Sequence, residues 1–317
     1  MKCVVLDDYQ GVALSTADWS GLDVTVLREH LDDPAPALQD AECVVVMRER
    51  TPFTAELFSR LPHLRLLVTS GMRNASIDLA AAADHGVTVC GTGSAKTPPT
   101  ELTWALILGL ARHIAVENAA FHAGGPWQST VGVDLAGRTL GLLGFGNLGR
   151  AVGRIGRAFG MDVVAWSPNL TADRTEPEGV RLASGLHSLF EQSDFASIHL
   201  VLGDRSRGLV DAQALARLKP TAFLVNTSRA AIVDPDALLD VLRDKRIAGA
   251  GLDVFEVEPL PLADELRTFP NVLATPHLGY VTEANYRTYF TEAVEDIHAF
   301  LRGVPVRELR RAQDLTL

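Results

Sequence analysis

Thr139 to Ser167 reads TLGLLGFGNLGRAVGRIGRAFGMDVVAWS, an apolar strand running into Gly144, Gly146 and Gly149 and then into a helix. That is the dinucleotide-binding fingerprint in its required context of strand, tight turn and helix. Each glycine has a physical task. Gly144 allows the tight turn, Gly146 lets the backbone approach a pyrophosphate, and Gly149 lets the helix pack closely on the strand. Phosphates then sit on free N–H groups at the helix N-terminus.

Outward from this unit, both flanks alternate short apolar runs with helical ones. Before it, KCVVLDD, DVTVLRE, ECVVVMRE, LRLLVTSG and VTVCG read as strands, with TPFTAELFSRL and SIDLAAAADHG as helices among them. A long helical stretch follows, TELTWALILGLARHIAVENAAFH, its start marked by Pro98 and Pro99 before Thr100. After it come the strand-like DVVAWS, FASIHLVL, AFLVNTS, AGAGLDV and NVLATPH, separated by SGLHSLFEQS, DAQALARLK and DPDALLDVLRDKR. Strands separated by helices imply parallel sheets covered on both faces, and ten or more strands in one sheet would be unusual. The fold class is therefore α/β with two doubly wound parallel-sheet domains. A periodic helix closes the chain from Asn285 to Arg302 and can return to the first unit. Residues 1–97 with 285–317 are then one discontinuous, flavodoxin-like substrate domain, and residues 98–284 a Rossmann cofactor domain.

At 317 residues the chain is long enough for two such cores. A formal net charge of -10, without any block of Lys and Arg, argues against a nucleic-acid partner. Cys3, Cys43 and Cys90 lie in apolar runs, and an odd count without close spacing supports neither a disulfide framework nor a metal site, so buried thiols are expected. MKCVVLDDYQ passes from four apolar residues directly into acid, so it lacks the apolar core of a signal peptide, and no run approaches the length of a membrane span. A cytoplasmic location with no membrane partner is the expectation.

Nucleotide chemistry needs a reacting group on a second substrate, and such groups lie at the C-terminal ends of strands. Arg229 follows AFLVNTS, Glu258 follows GLDVF, and His277 follows NVLATP. Together they offer a cation and an acid–base pair. At these residues the chain resembles the D-2-hydroxyacid dehydrogenase family, through GFGNLG, NTSRAAIVD, GLDVFEVEP and TPHLGY in the family's order and approximate spacing. The resemblance covers nearly the whole chain. It implies that Arg229 holds the substrate's carboxylate and carbonyl, and that Glu258 pairs with His277, which exchanges a proton with the substrate oxygen. It also implies that Asp253 contacts the nicotinamide carboxamide and that the Asn147 and Leu148 amides cradle the pyrophosphate. With Gly144, Gly146, Gly149, Ser167 and Thr227 these make up the cofactor set.

The chemistry is sensible on its own terms. Hydride moving to a carbonyl carbon leaves negative charge on oxygen, where an imidazolium proton and a guanidinium must be waiting. A carboxylate beside an imidazole favours its protonated form and orients the ring. His199, in FASIHLVL, is expected as a satisfied buried imidazole near the cofactor cleft, and Trp104 as core or subunit contact.

Departures from the family pattern bear on specificity. Ser167 stands where an acidic residue would bond the adenosine ribose, which loosens the cofactor choice: NAD is expected, with NADP as an alternative. In SGMRNASID, Arg73 stands where a glycine is usual, and Ala75 and Ser76 replace an Asp-Asn pair. Val201 replaces a proline and Ala230 a glycine. Because the family's equivalent loop binds the substrate carboxylate through backbone N–H groups, the substrate set is Gly71, Met72 and Arg73, joined by Arg48 after CVVVM.

The expected function is hydride transfer between a nicotinamide cofactor and a small 2-keto or 2-hydroxy acid. The competing one is a catalytically silent NAD-binding sensor or corepressor-like protein of the same fold. A homodimer is expected through the helix carrying Trp104 and the segment FHAGGPWQSTVGVDL, whose Trp127 resembles an arm reaching across a two-fold axis.

Overall fold

The computed structural model describes residues 1–309. The chain divides into two units: Met1–Ala95 joined by the chain from Val281 onward, and Lys96–Tyr280. These breaks fall slightly earlier than those drawn from the sequence.

In the first unit, strands β1 (Lys2–Val5), β2 (Asp23–Val26), β3 (Cys43–Val46), β4 (Leu66–Thr69) and β5 (Thr88–Gly91) form one parallel sheet in the order β2-β1-β3-β4-β5. That is the flavodoxin-like order of a doubly wound sheet. CVVV and LLVT are buried at every position, as interior parallel strands covered on both faces require, whereas DVTV lies on the edge and stays partly exposed. Asp78 starts the helix Leu79–Asp84 by accepting from the Ala80 and Ala81 N–H groups, and Thr282 caps Glu283–Leu301 at Asn285. The latter helix packs on the sheet of its own unit and buries Tyr289, Phe290 and Ile297, each such side chain contributing roughly 1.5–3 kcal/mol. Cys3, Cys43 and Cys90 are free and buried in the sheet, and burial pushes the Cys90 thiol up to about 12.

In the second unit, β6 (Thr139–Leu143), β7 (Asp162–Trp166), β8 (Arg181–Leu182), β9 (Phe195–Ile198), β10 (Phe223–Asn226), β11 (Gly249–Leu252) and β12 (Val272–Ala274) are all parallel, in the order β12-β11-β10-β9-β6-β7-β8. The winding reverses between β6 and β9, the Rossmann arrangement with its crevice at that switch point. Two sequence expectations need correction. The single long helix is two, Pro98–Ala111 and Ile114–His122, because His113 adopts φ 50° and closes the first helix with a left-handed residue. Pro98 and Pro99 do not precede that helix but occupy its first turn, where a missing N–H costs nothing. Among the described residues no helix is long and apolar enough to cross a membrane.

One buried charge makes the first unit sensitive to pH. Asp296, fully buried on the helix Glu283–Leu301, accepts a bond from Arg307 Nε at 3.0 Å through Oδ1, while Oδ2 has no hydrogen-bond partner among the described residues. Burial pushes its carboxyl up to about 7 against the pull of Arg307, and nearby Glu292 and Glu295 push the same way. An acid that binds its proton more tightly when folded contributes its stability fully below the unfolded value near 4, and that contribution is lost as pH rises through about 7. Asp296→Asn should therefore gain in melting temperature relative to wild type between pH 5 and pH 8. A pH-independent difference in thermal denaturation would contradict this.

Candidate active site

The fingerprint turn encloses space at the switch point. Gly144 has φ 105°, and a Cβ there would lie 2.6 Å from the His199 carbonyl oxygen; one on Gly149 would lie 2.2 Å from the Gly144 carbonyl. Both are glycine because backbone meets backbone. Gly146 is different: its φ of -81° suits any residue, and no atom of the described residues lies within 4 Å of an added Cβ. Glycine there keeps open a cradle that the fold itself does not use. The helix Asn147–Ala158 begins at Gly146 without a side-chain cap, so the amides of Asn147 and Leu148 are among its orphan donors at the positive end of the dipole. A cleft of about 600 Å³ opens here, lined by Gly144, Gly146, Ser167, Arg174, His199 and Arg205 among others. Its donors and room fit the pyrophosphate and adenosine half of a dinucleotide. His199 forms part of the wall, its Nε2 lying 2.9 Å from Ser197 Oγ, and burial lowers its imidazole to about 4, leaving it neutral.

Arg229, Glu258 and His277 follow the C-terminal ends of three adjacent strands. The register pairs Asn226 with Leu252 and Leu252 with Ala274, so β10, β11 and β12 end level and deliver these residues to one rim. His277 Nδ1 lies 2.7 Å from Glu258 Oε2, while Glu258 Oε1 accepts the Phe255 N–H at 2.9 Å. The carboxylate is thus fixed by its own loop and fixes the ring in turn. His277 itself has φ 54°, a left-handed conformation that a non-glycine residue rarely adopts and that functional turns often retain. Arg229 donates from Nη1 to the Ser228 carbonyl at 2.7 Å.

Two buried polar residues shape these turns, and their positioning work was not apparent from sequence. Asn226 donates to the Arg229 carbonyl at 3.0 Å and accepts the Ser228 N–H at 3.0 Å, folding the turn that presents Arg229. Asp253 is fully buried; Oδ1 accepts from the Thr275 hydroxyl and the Leu278 N–H, both at 2.6 Å, and Oδ2 from the Gly279 N–H at 2.9 Å. Burial pushes its carboxyl upward against the pull of those bonds. Its visible task is to hold the turn that carries His277. The one local signal was a polar residue closing an otherwise apolar strand, in FLVN and GLD. Thr227, expected near the cofactor, joins the Thr103 hydroxyl at 2.8 Å and ties β10 to the helix Pro98–Ala111.

The expected substrate residues belong to the first unit, at the ends of β3 and β4. Gly71 has φ 89°, and a Cβ there would lie 2.4 Å from Arg48 Nη1, so the Arg48 guanidinium lies across it. The Arg48 N–H donates to Ser70 Oγ, and Asn74 Nδ2 donates to the Arg48 carbonyl. Met72 and Arg73 are exposed, and the Arg73 guanidinium pairs with no described residue. The acids near it in sequence are engaged elsewhere: Asp78 caps a helix and Glu49 lies beside Arg48.

Residues 104–279 match the model of the D-isomer specific 2-hydroxyacid dehydrogenase NAD-binding domain. A hydroxypyruvate reductase from Thermotoga maritima is 35% identical over 283 residues, 87% of this chain and 90% of that protein. A D-3-phosphoglycerate dehydrogenase from Bacillus subtilis is 34% identical over 89% of this chain, which spans only 54% of the relative. Among solved structures, a phosphoglycerate oxidoreductase from Vibrio cholerae superposes with a TM-score of 0.91 at 36% identity, covering 96% of this chain and all of that one.

The Asp253 network makes a direct prediction. Asparagine offers one acceptor oxygen and an NH2 that would face an N–H donor, so Asp253→Asn leaves buried donors unpaired. It should destabilise the protein by about 1–3 kcal/mol in denaturant titration. An unchanged midpoint and slope would show that the three bonds do not hold the turn.

Proposed function

The chain belongs to the D-isomer specific 2-hydroxyacid dehydrogenase family, and from that premise we propose that it transfers a hydride between NAD and a small 2-keto or 2-hydroxy acid of the D-series. The observation that carries the proposal is the His277–Glu258 pair, 2.7 Å apart on the same strand-end rim as Arg229. When bound, the nicotinamide cofactor supplies or accepts the hydride. Everything else falls to the protein. Nδ1 is the ring nitrogen committed to Glu258, so proton exchange with the substrate oxygen falls to Nε2 of His277. Arg229 grips the carboxylate and carbonyl with its planar fork, offsetting the charge that grows on oxygen. Glu258 orients the ring and compensates the imidazolium.

Gly144, Gly146, Asn147, Leu148, Gly149 and Ser167 are the proposed cofactor contacts along the cleft, with Thr227 and Asp253 at the neighbouring strand ends. The proposal includes a cytoplasmic homodimer whose contact involves the helix carrying Trp104 and the segment FHAGGPWQSTVGVDL, in which Phe121, Trp127 and Val131 are exposed. A silent sensor would have no need of an imidazole–carboxylate pair fixed at hydrogen-bond distance, which disfavours that alternative.

Replacing His277 with Ala should lower keto-acid reduction by roughly two to four orders of magnitude while NADH binding stays nearly intact. Wild-type turnover in that variant would sink the assignment. Arg229→Lys should also be costly, since a point charge cannot reproduce a two-pronged grip.

The substrate class follows from the first unit. Arg48, Gly71, Met72 and Arg73 are the proposed substrate residues, and the two guanidiniums favour an acid with a second anionic group, a carboxylate or phosphate. Relatives named for phosphoglycerate agree with such a preference. Arg73→Ala should reduce kcat/KM on dianionic keto acids and spare pyruvate and glyoxylate. An equal loss on all substrates would reject the role.

A further inference from the structure

The loop that follows β3 is bent against its own preference. Arg48 has φ 54°, a left-handed conformation that costs a residue with a Cβ roughly tenfold or more in population. Such a conformation persists where its surroundings impose it. Both backbone polar groups of Arg48 are bonded to side chains from the loop after β4: its N–H donates to Ser70 Oγ at 2.9 Å, and its carbonyl accepts from Asn74 Nδ2 at 2.6 Å. Ser70 is buried, and its hydroxyl donates to Met47 Sδ at 3.3 Å, which leaves an oxygen lone pair for the Arg48 amide.

Asn74 uses everything an amide side chain offers. Its NH2 donates to the Arg48 carbonyl and, at 2.9 Å, to Thr69 Oγ1; its Oδ1 accepts the Ser76 N–H at 3.0 Å and the Ser76 hydroxyl at 2.7 Å. It therefore joins the end of β3 to the end of β4 while folding its own loop. Its chain neighbour is Arg73. On the other side of that loop the Gly71 N–H donates to Thr92 Oγ1 at 3.0 Å, so the backbone beneath the Arg48 guanidinium is itself fixed. One amide thus sets the backbone of Arg48 through a bond and that of Arg73 through the chain.

We infer that Asn74 is a positioning residue: without touching the substrate, it fixes the spacing of the Arg48 and Arg73 guanidiniums and so sets the selectivity for acids with a second anionic group. The inference rests on the proposed substrate role of those two arginines. Two guanidiniums grip a dianion together only when both forks are aimed at it. An Arg48 released to negative φ would re-aim its side chain away from Gly71, and the pair would be lost.

The test is steady-state reduction with NADH of glyoxylate and of a dianionic probe, whichever of oxaloacetate and phosphohydroxypyruvate turns over faster. It compares wild type, Arg48→Ala, Asn74→Ala and the double variant. Asn74→Ala should raise KM for the dianion by about tenfold, with KM for glyoxylate, kcat and the NADH dissociation constant each within about threefold. In the Arg48→Ala background the same substitution should add less than about twofold, because the residue through which it acts is gone. Ser70→Ala removes the other hold on Arg48 and should raise KM for the dianion in the same direction, which keeps the test decisive if Asn74→Ala does not fold. A full tenfold effect of Asn74→Ala on top of Arg48→Ala, or an equal loss on both acids with a fall in kcat, overturns the inference. Unchanged KM in Asn74→Ala and Ser70→Ala overturns it alone if Arg48→Ala raises KM. If Arg48→Ala leaves KM unchanged, or wild type reduces neither dianion, the substrate role of the arginines falls and the inference with it.

Discussion

Every strand of the larger unit runs the same way, and that constraint decides where chemistry can sit. Interior parallel strands are covered on both faces, so FLVN, GAGL and FASI are buried throughout and leave no place for a solvated reacting group along their length. Polar side chains are displaced to the strand ends, and parallel direction gathers all the C-terminal ends on one edge. The winding reversal between β6 and β9 opens the candidate dinucleotide cleft on that edge, and β10 to β12 deliver Arg229, Glu258 and His277 farther along it. The candidate cofactor and proton-transfer sites are thus neighbours because the sheet is parallel, not because any loop is long.

The fingerprint and the three rim residues were legible because each depends on near neighbours in sequence. Gly144 and Gly149 have backbone within 3 Å of where a Cβ would go, so the pattern of glycines is a steric record of the turn. The rim residues each follow an apolar run that ends in a turn, a signal readable without coordinates. Asp253 and Asn226 were less legible because their partners are turn amides, and in the Asp253 case those amides lie more than twenty residues away. The break at His113 left no trace because neither glycine nor proline marks it. β8 has two residues, too few for any periodicity. The Arg48 guanidinium over Gly71 depends on positive φ angles in two separate loops, at 54° and 89°, which neither loop announces alone.

Three buried ionisable residues show how differently the fold handles one problem. A charge removed from water must be bonded, neutralised or left costly. Asp253 is bonded, with three donors on two oxygens. His199 is neutral, lowered to about 4 by burial and satisfied by one serine hydroxyl. Asp296 is only half bonded, one oxygen on Arg307 and the other without a hydrogen-bond partner among the described residues, and it alone is raised to about 7. The fully bonded carboxylate is the one beneath the candidate catalytic histidine.

That placement bears on how the imidazole is held. Glu258 fixes the ring from the Nδ1 side, and its own second oxygen is anchored to the Phe255 amide. Asp253 fixes the backbone from below through the amides of Leu278 and Gly279, the two residues that follow the histidine. A left-handed histidine between those anchors has little freedom to relax without breaking buried bonds. The ring is therefore constrained at both its backbone and its Nδ1, and in the proposed chemistry Nε2 is the nitrogen that exchanges the proton. In the proposed chemistry this is preorganisation: the donor is already aimed when charge develops on the substrate oxygen, so no reorganisation of the protein is added to the barrier at that moment.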